Sequence, residues 1–379
     1  MLKKKIKILG SGPTGSLLAI SLASNNCNVL LIDPLSESSL CAKDKGYAIT
    51  QSSRKIFEKL GLWSEIKKYA SGFNSLSIID NEISQSVIIR KNDLKEFNKD
   101  QKHIGWVIEH KFLMKVFIDA VNNNKFIDKE NINSINDQNF DFILAADGRD
   151  SSTRAYWNMN YFKRLYKQRC ISFRAIIENV PNKRAYEIFR YEGPLALLPL
   201  HNNIYQVIWF SQESKLNAKL KLSNTKLLET LTSILPDDIK PKKIVSKISN
   251  YSVAQAFALP KFSNFKNILV GDAAHSFHPV GGQGLNSCIR DVYELSNMII
   301  NFDNLSIIYR KIFAIYFFLN RCIDILSLLI FTDLLIKLFS NKFVLLIPIR
   351  RAIFYLLRKI KFLRINIFSL MTDSMKRYS

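Results

Sequence analysis

The feature that most constrains this chain is a glycine turn at its start. Gly10-Ser11-Gly12-Pro13-Thr14-Gly15 lies between KIKIL, a short β-rich run, and SLLAISLASNN, which has helical apolar spacing. Gly10 permits a tight turn, Gly12 lets backbone approach a pyrophosphate, and Gly15 allows a helix to pack close to a strand. The helix that opens there offers free N–H groups and a positive dipole end to phosphate. CNVLLID follows as a continuous apolar strand ending in Asp33, 23 positions after Gly10, where a carboxylate can accept ribose hydroxyls. Strand, glycine turn, helix, strand and acid together predict a dinucleotide site formed by Gly10, Gly12, Pro13, Thr14, Gly15 and Asp33.

Two later segments add to it. DFILAAD (141–147) reads as a strand that breaks into Asp147-Gly148-Arg149-Asp150-Ser151-Ser152-Thr153-Arg154. NILVGDAA (267–274) is a buried strand followed by His275-Ser276-Phe277-His278-Pro279-Val280-Gly281-Gly282-Gln283-Gly284-Leu285-Asn286 and a helix to about residue 300. A carboxylate at the end of that strand, Asp272, can bind a ribityl hydroxyl. The Gly- and Pro-rich turn opens a helix whose N-terminus stabilises negative charge. His275 and His278 invite a metal reading, but no third ligand lies near them in sequence and Pro279 points to a loop, so no metal is assigned.

Between these segments the texture changes. Helical character is expected at 51–69 and 110–122, and alternating strands at SLSIID (75–80) and SVIIR (86–90). Residues 170–257 read as short β-rich runs separated by turns, a mostly antiparallel sheet. From 305 onward the pattern is helical, apolar and basic. The interleaving predicts an α/β fold. Its Rossmann-type nucleotide-binding domain is built from 1–70, 98–168 and 255–300. A substrate domain of mostly antiparallel sheet, from 71–97 and 169–254, is threaded through it, and 301–379 form a C-terminal helical region.

These three elements, in this order, resemble the class A FAD-dependent aromatic monooxygenases, para-hydroxybenzoate-hydroxylase-like in fold, and most closely their ubiquinone-biosynthesis hydroxylases. Gly193-Pro194-Leu195-Ala196-Leu197-Leu198-Pro199-Leu200 is similar to the family's substrate-domain strand. Gly61-Leu62-Trp63, Glu109-His110, Arg290-Asp291, Thr332-Asp333 and Leu338-Phe339-Ser340 also fit. The resemblance implies that the glycine turn holds the adenosine diphosphate of FAD. It implies that Asp147, Gly148 and Arg154 contact FAD and help NADH or NADPH pass. Gly271, Asp272, Ala273, Pro279, Gly282, Gln283, Gly284, Leu285 and Asn286 would hold the ribityl chain, with the backbone of Pro279, Gly281 and Gly282 beside the flavin ring. Many relatives carry an Arg where this chain has Lys45, which the resemblance places at the cofactor as a point charge without Arg's planar fork. Residues 91–102 and 122–140 read as unusually polar loops that depart from the family pattern.

The activity implied is NAD(P)H-linked ring hydroxylation by O2 through a C4a-hydroperoxyflavin, on a polyprenylated phenol or quinone precursor, alongside other ubiquinone-biosynthesis proteins. A related hydroxylase of a small soluble aromatic, and a non-catalytic FAD-binding subunit of a biosynthetic complex, remain open alternatives. His201, Tyr205 and Trp209 are candidates for the substrate pocket, with the sheet core as the competing reading of the two aromatics.

Charge bears on partners. Lys and Arg total 54 against 32 Asp and Glu, a net +22. Such a surplus fits an acidic partner, or simple drift in a chain heavy in Lys, Ile and Asn. No nucleic-acid recognition module appears. If 334–372 were one helix, Arg350, Arg351, Arg358 and Lys361 would share a face suited to an anionic membrane surface. The competing reading is a packed helical subdomain with a solvated basic face. No run of about 20 uncharged apolar residues exists to span a bilayer. The five scattered cysteines form no disulfide or zinc pattern. The expected location is cytoplasmic, peripheral at the inner face of the cytoplasmic membrane.

Overall fold

The computed structural model describes residues 3–93, 102–131, 139–259, 266–301 and 307–373. Most of the two polar stretches noted in the sequence, 94–101 and 132–138, lies outside the described residues.

The glycine turn sits on a five-stranded, wholly parallel sheet ordered Asn267–Leu269, Phe142–Ala145, Lys5–Leu9, Asn28–Ile32, Ile127–Glu130. Its strands are short and almost continuously apolar, as a sheet covered on both faces requires. The helices Pro13–Ala23, His110–Asn122 and Gln283–Ile300 contribute Leu17, Leu113, Phe117 and Val292 to the core built on it.

A nine-stranded, mostly antiparallel sheet stands beside it. Its order is His275–Ser276, Ser249–Ala258, Tyr161–Glu178, Ile204–Gln212, Leu195–Pro199, Ala185–Phe189, Ser75–Asp80, Gln85–Arg90, with Lys240–Ile244 also paired to Tyr161–Glu178. The 18-residue strand Tyr161–Glu178 joins Ser249–Ala258 along one edge and Ile204–Gln212 along the other. A third, three-stranded sheet, Gly46–Ile49, Gly105–Glu109 and Ser71–Phe73, lies between the two in sequence order. The architecture is therefore α/β, a Rossmann-type sheet interleaved with an antiparallel one and followed by helices.

Three expectations need correction. The 51–69 segment is two helices, Gln51–Lys59 and Trp63–Tyr69, broken at Gly61, whose φ of +69° ends the first. The 170–257 segment is not sheet alone: Glu213–Leu220 and Asn224–Thr232 are helices. Their Leu216, Leu227 and Leu231 pack on the face carrying Tyr205, Val207 and Trp209. The third concerns the tail. It forms Ile307–Phe339, Ile347–Lys359 and Lys361–Asp373, and the chain turns extended at Ile360. Arg350 and Lys361 therefore do not share one helix. Arg350 is buried, its Nε donating to Asp80 Oδ2 at 2.7 Å and its Nη2 to Oδ1. Asp80 ends the strand Ser75–Asp80, so this bidentate pair clamps the tail to the nine-stranded sheet; removing one partner of such a buried pair costs about 3–5 kcal/mol. Arg351, Arg358 and Lys361 are exposed.

Candidate cofactor and active site

The three predicted segments meet where the central parallel strands end. Ala146 N–H donates to Leu9 O at 2.7 Å and Val270 N–H to Ala145 O at 2.9 Å, so the turns after Leu9, Ala145 and Leu269 start level with one another. Gly10 is packed so closely that a Cβ would lie 2.6 Å from Ala146 O, at a φ of +98°. A Cβ on Gly15 would lie 1.8 Å from Gly10 O. Both glycines are thus required by the fold itself.

Gly12 is different. Its φ is −64° and nothing lies within 4 Å of where a Cβ would be. The fold leaves that space open. Gly12 is also the N-cap of Pro13–Ala23, a helix with no side-chain cap and no acid in its first turn. Gly282 plays the same part for Gln283–Ile300, again with no side-chain cap and no acid, and Gly284 behind it faces open space. Gln51–Lys59, Ser152–Tyr156 and Asn224–Thr232 are by contrast capped by Thr50, Ser151 and Ser223. The helix ends at Gly12 and Gly282 are therefore open to meet negative charge.

The carboxylates divide. Asp33 Oδ2 accepts from Ser11 N–H at 2.7 Å and Oδ1 from Leu35 N–H at 2.9 Å, so it fixes the glycine turn and keeps only its remaining lone pairs for a ligand. Asp147 Oδ2 accepts from Thr153 N–H at 3.0 Å, while its Oδ1 is buried with no partner in the protein. The Asp272 side chain is exposed, within 3.5 Å of Cys288 Sγ; burial, with a smaller push from the Asp272 charge, raises the Tyr47 hydroxyl above its ordinary value. Lys45 is exposed beside the Tyr47 and Tyr251 rings, 5.3 and 5.9 Å from their centroids. Asp272 and Lys45 thus both border Tyr47.

Other predicted residues turn their side chains to protein. Arg154 donates to Ala273 O at 2.9 Å and Arg149 O at 3.1 Å and lies over the Tyr161 ring, tying the Asp147 turn to the Asp272 turn. Asn286 Oδ1 accepts from Thr50 N–H and Ser53 Oγ, and its Nδ2 donates to Ala48 O and Gly282 O. Gln283 donates to Gly281 O. Ala273 and Leu285 pack in apolar clusters. Toward a ligand Arg154, Asn286, Ala273 and Leu285 act chiefly through backbone or position, whereas Gln283 keeps a buried Oε1 with no partner in the protein.

The turn Pro279–Gly282 is held from both ends. On one side His275 Nε2 lies 2.6 Å from Asp291 Oδ2, which also accepts from Gly271 N–H at 3.0 Å. Arg321 Nε donates to Asp291 Oδ1 at 2.7 Å, Arg321 Nη1 lies 2.8 Å from Asp324 Oδ2, and Arg290 Nε donates to the same Asp324 oxygen at 3.1 Å. Burial pushes the Asp291 carboxyl up, but its His275 and Arg321 neighbours outweigh that and hold it well below the usual carboxylate range. His275, a candidate metal ligand by type, is engaged in this network. On the other side Val280 N–H donates to His278 Nδ1 at 3.2 Å, and Nε2 faces Gln168 Oε1 at 3.2 Å. That pairing fixes a neutral tautomer, and burial pushes the His278 value down to about 3. Gly281 and Gly282 both take positive φ, +72° and +65°, which lets the chain turn flat into the helix.

The near face of the nine-stranded sheet looks onto this turn. A Cβ on Gly282 would lie 3.3 Å from Ala48, and Gln206 packs 3.2 Å from Gly46 in the same measure. Val280 shares an apolar cluster with Leu198, Ala185 and Phe189 of the sheet. Tyr205 and Trp209 point to the opposite face and belong to the core there; His201 is exposed, its Nε2 3.2 Å from Tyr69 O. Sequence reading missed Glu187, Gln206 and Ser172, buried polar residues of the near face. A polar residue alternating with core residues in a strand was the only signal for them.

The donor set fits FAD. The glycine cradle at Gly12, two uncapped helix ends, the exposed Asp272 and the orphaned Asp147 oxygen match phosphates and polyol hydroxyls. Among the described residues no group of three His, Cys, Asp or Glu side chains could hold a metal. The FAD binding domain family matches residues 129–303. Ubiquinone hydroxylase UbiL of Rhodospirillum rubrum is 24% identical over 360 residues, covering 89% of this chain and 82% of its own. The 3-demethoxyubiquinol 3-hydroxylase of Escherichia coli is 22% identical over 324 residues, 78% and 80% respectively. The fold superposes on p-nitrophenol 4-monooxygenase of Pseudomonas putida with a TM-score of 0.75, 16% identity and coverage of 97% and 96%. Site, family match and fold agree: the chain is similar to the class A FAD-dependent aromatic monooxygenases, and it is an FAD-dependent oxidoreductase with NAD(P)H as transient reductant and O2 as co-substrate.

Proposed function

We propose that this chain hydroxylates the aromatic ring of a polyprenylated phenol or quinone precursor in ubiquinone biosynthesis. The observation that carries the reading is the match to ubiquinone hydroxylases along most of the chain, joined to a near face that is chiefly apolar. In this reading Gly10–Gly15 accept the pyrophosphate on the first helix end, and Asp33 meets the ribose. Asp272 and Asp147 accept polyol hydroxyls, Lys45 adds positive charge, and Pro279–Gly282 lie beside the ring. Bound FAD supplies the redox chemistry that activates oxygen. The protein's part is to hold the phenol between the sheet and the Val280–Gly282 turn, fix the ring plane through His278 and Asn286, and keep water out.

The C-terminal helices support a membrane-side substrate. The helix Ile307–Phe339 is inverted for a water-facing element. Arg321 and Asp324 point inward and are buried, while Ile312, Tyr316, Leu319, Ile323, Leu326 and Ile330 are exposed along its outer side. Exposed Lys311 and Lys337 lie near the two ends of the same helix. No helix among the described residues is long and apolar enough to cross a membrane. An apolar stripe bordered by cations suits a helix lying in the headgroup region of an anionic bilayer, where a polyprenyl chain resides. On this reading the chain works peripherally at the cytoplasmic membrane, beside other ubiquinone-biosynthesis proteins.

Purified protein is expected to be yellow, to oxidise NAD(P)H faster when a 2-polyprenylphenol is added, to form a hydroxylated product, and to float with anionic liposomes. Gly12→Val fills the open space with no clash in the protein, so it is expected to fold normally and lose FAD; Asp272→Ala is expected to weaken FAD retention. Colourless protein, or turnover of small soluble aromatics only, would overturn the reading.

A further inference from the structure

The strand Ala185–Phe189 presents alternate residues to the two sides of the nine-stranded sheet. Tyr186 and Ile188 join the far core; Ala185 and Phe189 join the near-face cluster with Leu198 and Val280. Glu187 lies between them on the near face. It is 7% exposed, opposite Ala196 on one neighbouring strand and Ile78 on the other. Its Oε1 is buried with no hydrogen-bond partner, and the Gly281 amide faces the carboxyl from the glycine turn. Burial pushes its value up to about 8, with the Gly281 amide pulling the other way.

The surroundings do not explain this residue. Asp80, two positions along the adjacent strand, is closed off by Arg350. His278, at the far end of the glycine turn, is held neutral by its neighbours. No charged side chain contributes to the shift. An apolar side chain would pack this wall at lower cost, since a buried polar oxygen left without a partner is destabilising. What Oε1 lacks is a hydrogen-bond donor, and none of the described side chains on the near face supplies one.

We propose that Glu187 is the substrate-facing base of this site, its carboxyl receiving the hydroxyl hydrogen of a phenol bound on the near face beside the Val280–Gly282 turn. The choice of a phenol rests on the function proposed above. The proton passes from the phenol oxygen to a Glu187 oxygen, and the O–H bonding pair stays on the phenol oxygen. The ring carbons ortho and para to it become richer in electrons, and Glu187 becomes a neutral acid. The proton returns to the product oxygen when the phenol is reformed. A carboxyl poised near neutrality suits this exchange, because proton transfer is most effective when the acceptor titrates near the working pH.

The test uses FAD-loaded, full-length protein with two probes, 2-geranylphenol and its methyl ether, binding being read by equilibrium dialysis. Wild type is expected to bind the phenol roughly 10-fold more tightly than the ether, the scale of one buried hydrogen bond to a charged group. Glu187→Gln is expected to keep its FAD occupancy but lose most of that preference, and Glu187→Asp to restore part of it. Product formation is expected to rise through about pH 8 in wild type and to be flat there in Glu187→Gln. Equal preference in wild type and Glu187→Gln, or an unchanged pH profile, overturns the proposal. If wild type binds phenol and ether alike while hydroxylating the phenol, only the role of Glu187 falls; if it takes up neither, the proposed function falls as well. Because the phenol–ether comparison is made on wild type, it decides even where a variant fails to fold.

Discussion

The two faces of the nine-stranded sheet are made by the same strands and are nearly equally buried, yet they differ in chemistry. On the far face Ile171, Phe173, Tyr205, Val207 and Trp209 meet Leu216, Leu227 and Leu231 of two helices in a largely apolar core, with the Trp209 Nε1 buried and unpartnered but no carboxyl or amide among them. On the near face Ser172, Glu187 and Gln206 are interspersed among Ala185, Leu198 and Val280, and the Glu187 and Gln206 oxygens lack partners. A face that only stabilises is free to be uniformly apolar. A face that recognises a ligand carries polar groups whose hydrogen-bonding needs are met only when the ligand arrives, and the fold bears that cost in the meantime.

That contrast can be broken by experiment. The largest effect is expected from the far face: Trp209→Ala should cost about 3–5 kcal/mol, seen as a lower denaturant midpoint, because it opens a cavity in a closed core. FAD content of the folded fraction should be unchanged; selective loss of FAD would show that the two faces are not separate in role. Next comes His278, beside the near face. Folded His278 stays neutral down to about pH 3, whereas the unfolded side chain takes a proton below about 6.5. Its contribution is therefore present above pH 6.5 and is lost as the pH falls, by about 2 kcal/mol between 6.5 and 5. Urea midpoints across that range should drop less steeply in His278→Gln than in wild type. The smallest stability change is expected for Gln206→Leu, within about 1 kcal/mol, since the hydrogen bonds to Ser172 and Phe173 are lost together with a buried unpartnered oxygen. Its product yield per NAD(P)H should fall all the same. A destabilisation as large as that of Trp209→Ala would mean the near face is ordinary core.

The parts of the site that rest on local backbone demands were legible in the sequence. Gly10 and Gly15 are dictated by a close approach, and the Gly281-Gly282 pair by left-handed turns, so glycine spacing exposes them directly. Arg290-Asp291 fits the family pattern, but that Asp291 joins Gly271 and His275 upstream to Arg321, 30 residues downstream on another helix, is a tertiary fact. Glu187 was not legible at all. In a run such as AYEIF a lone acid reads as a solvent-facing strand position, and period-2 alternation cannot say which face a second layer will cover. The same ambiguity left Tyr205 and Trp209 as pocket candidates until the helices Glu213–Leu220 and Asn224–Thr232 were seen over them. The basic tail misled for a related reason: a helical wheel counts Arg350 with its neighbours but cannot register Asp80, 270 residues away.

The order of strands in the parallel sheet has a bearing on how the chain is born. Its three neighbouring strands Lys5–Leu9, Phe142–Ala145 and Asn267–Leu269 come from widely separated stretches. Until the ribosome has delivered residue 269, one edge of the strand Phe142–Ala145 has no neighbour, and the turn carrying Asp272 does not exist. The nascent protein must hold an open β-edge through most of its synthesis, a state prone to mispairing. Flavin supplied before that point would find nothing to close upon, so holoprotein yield should depend on the cofactor available late in synthesis and after it.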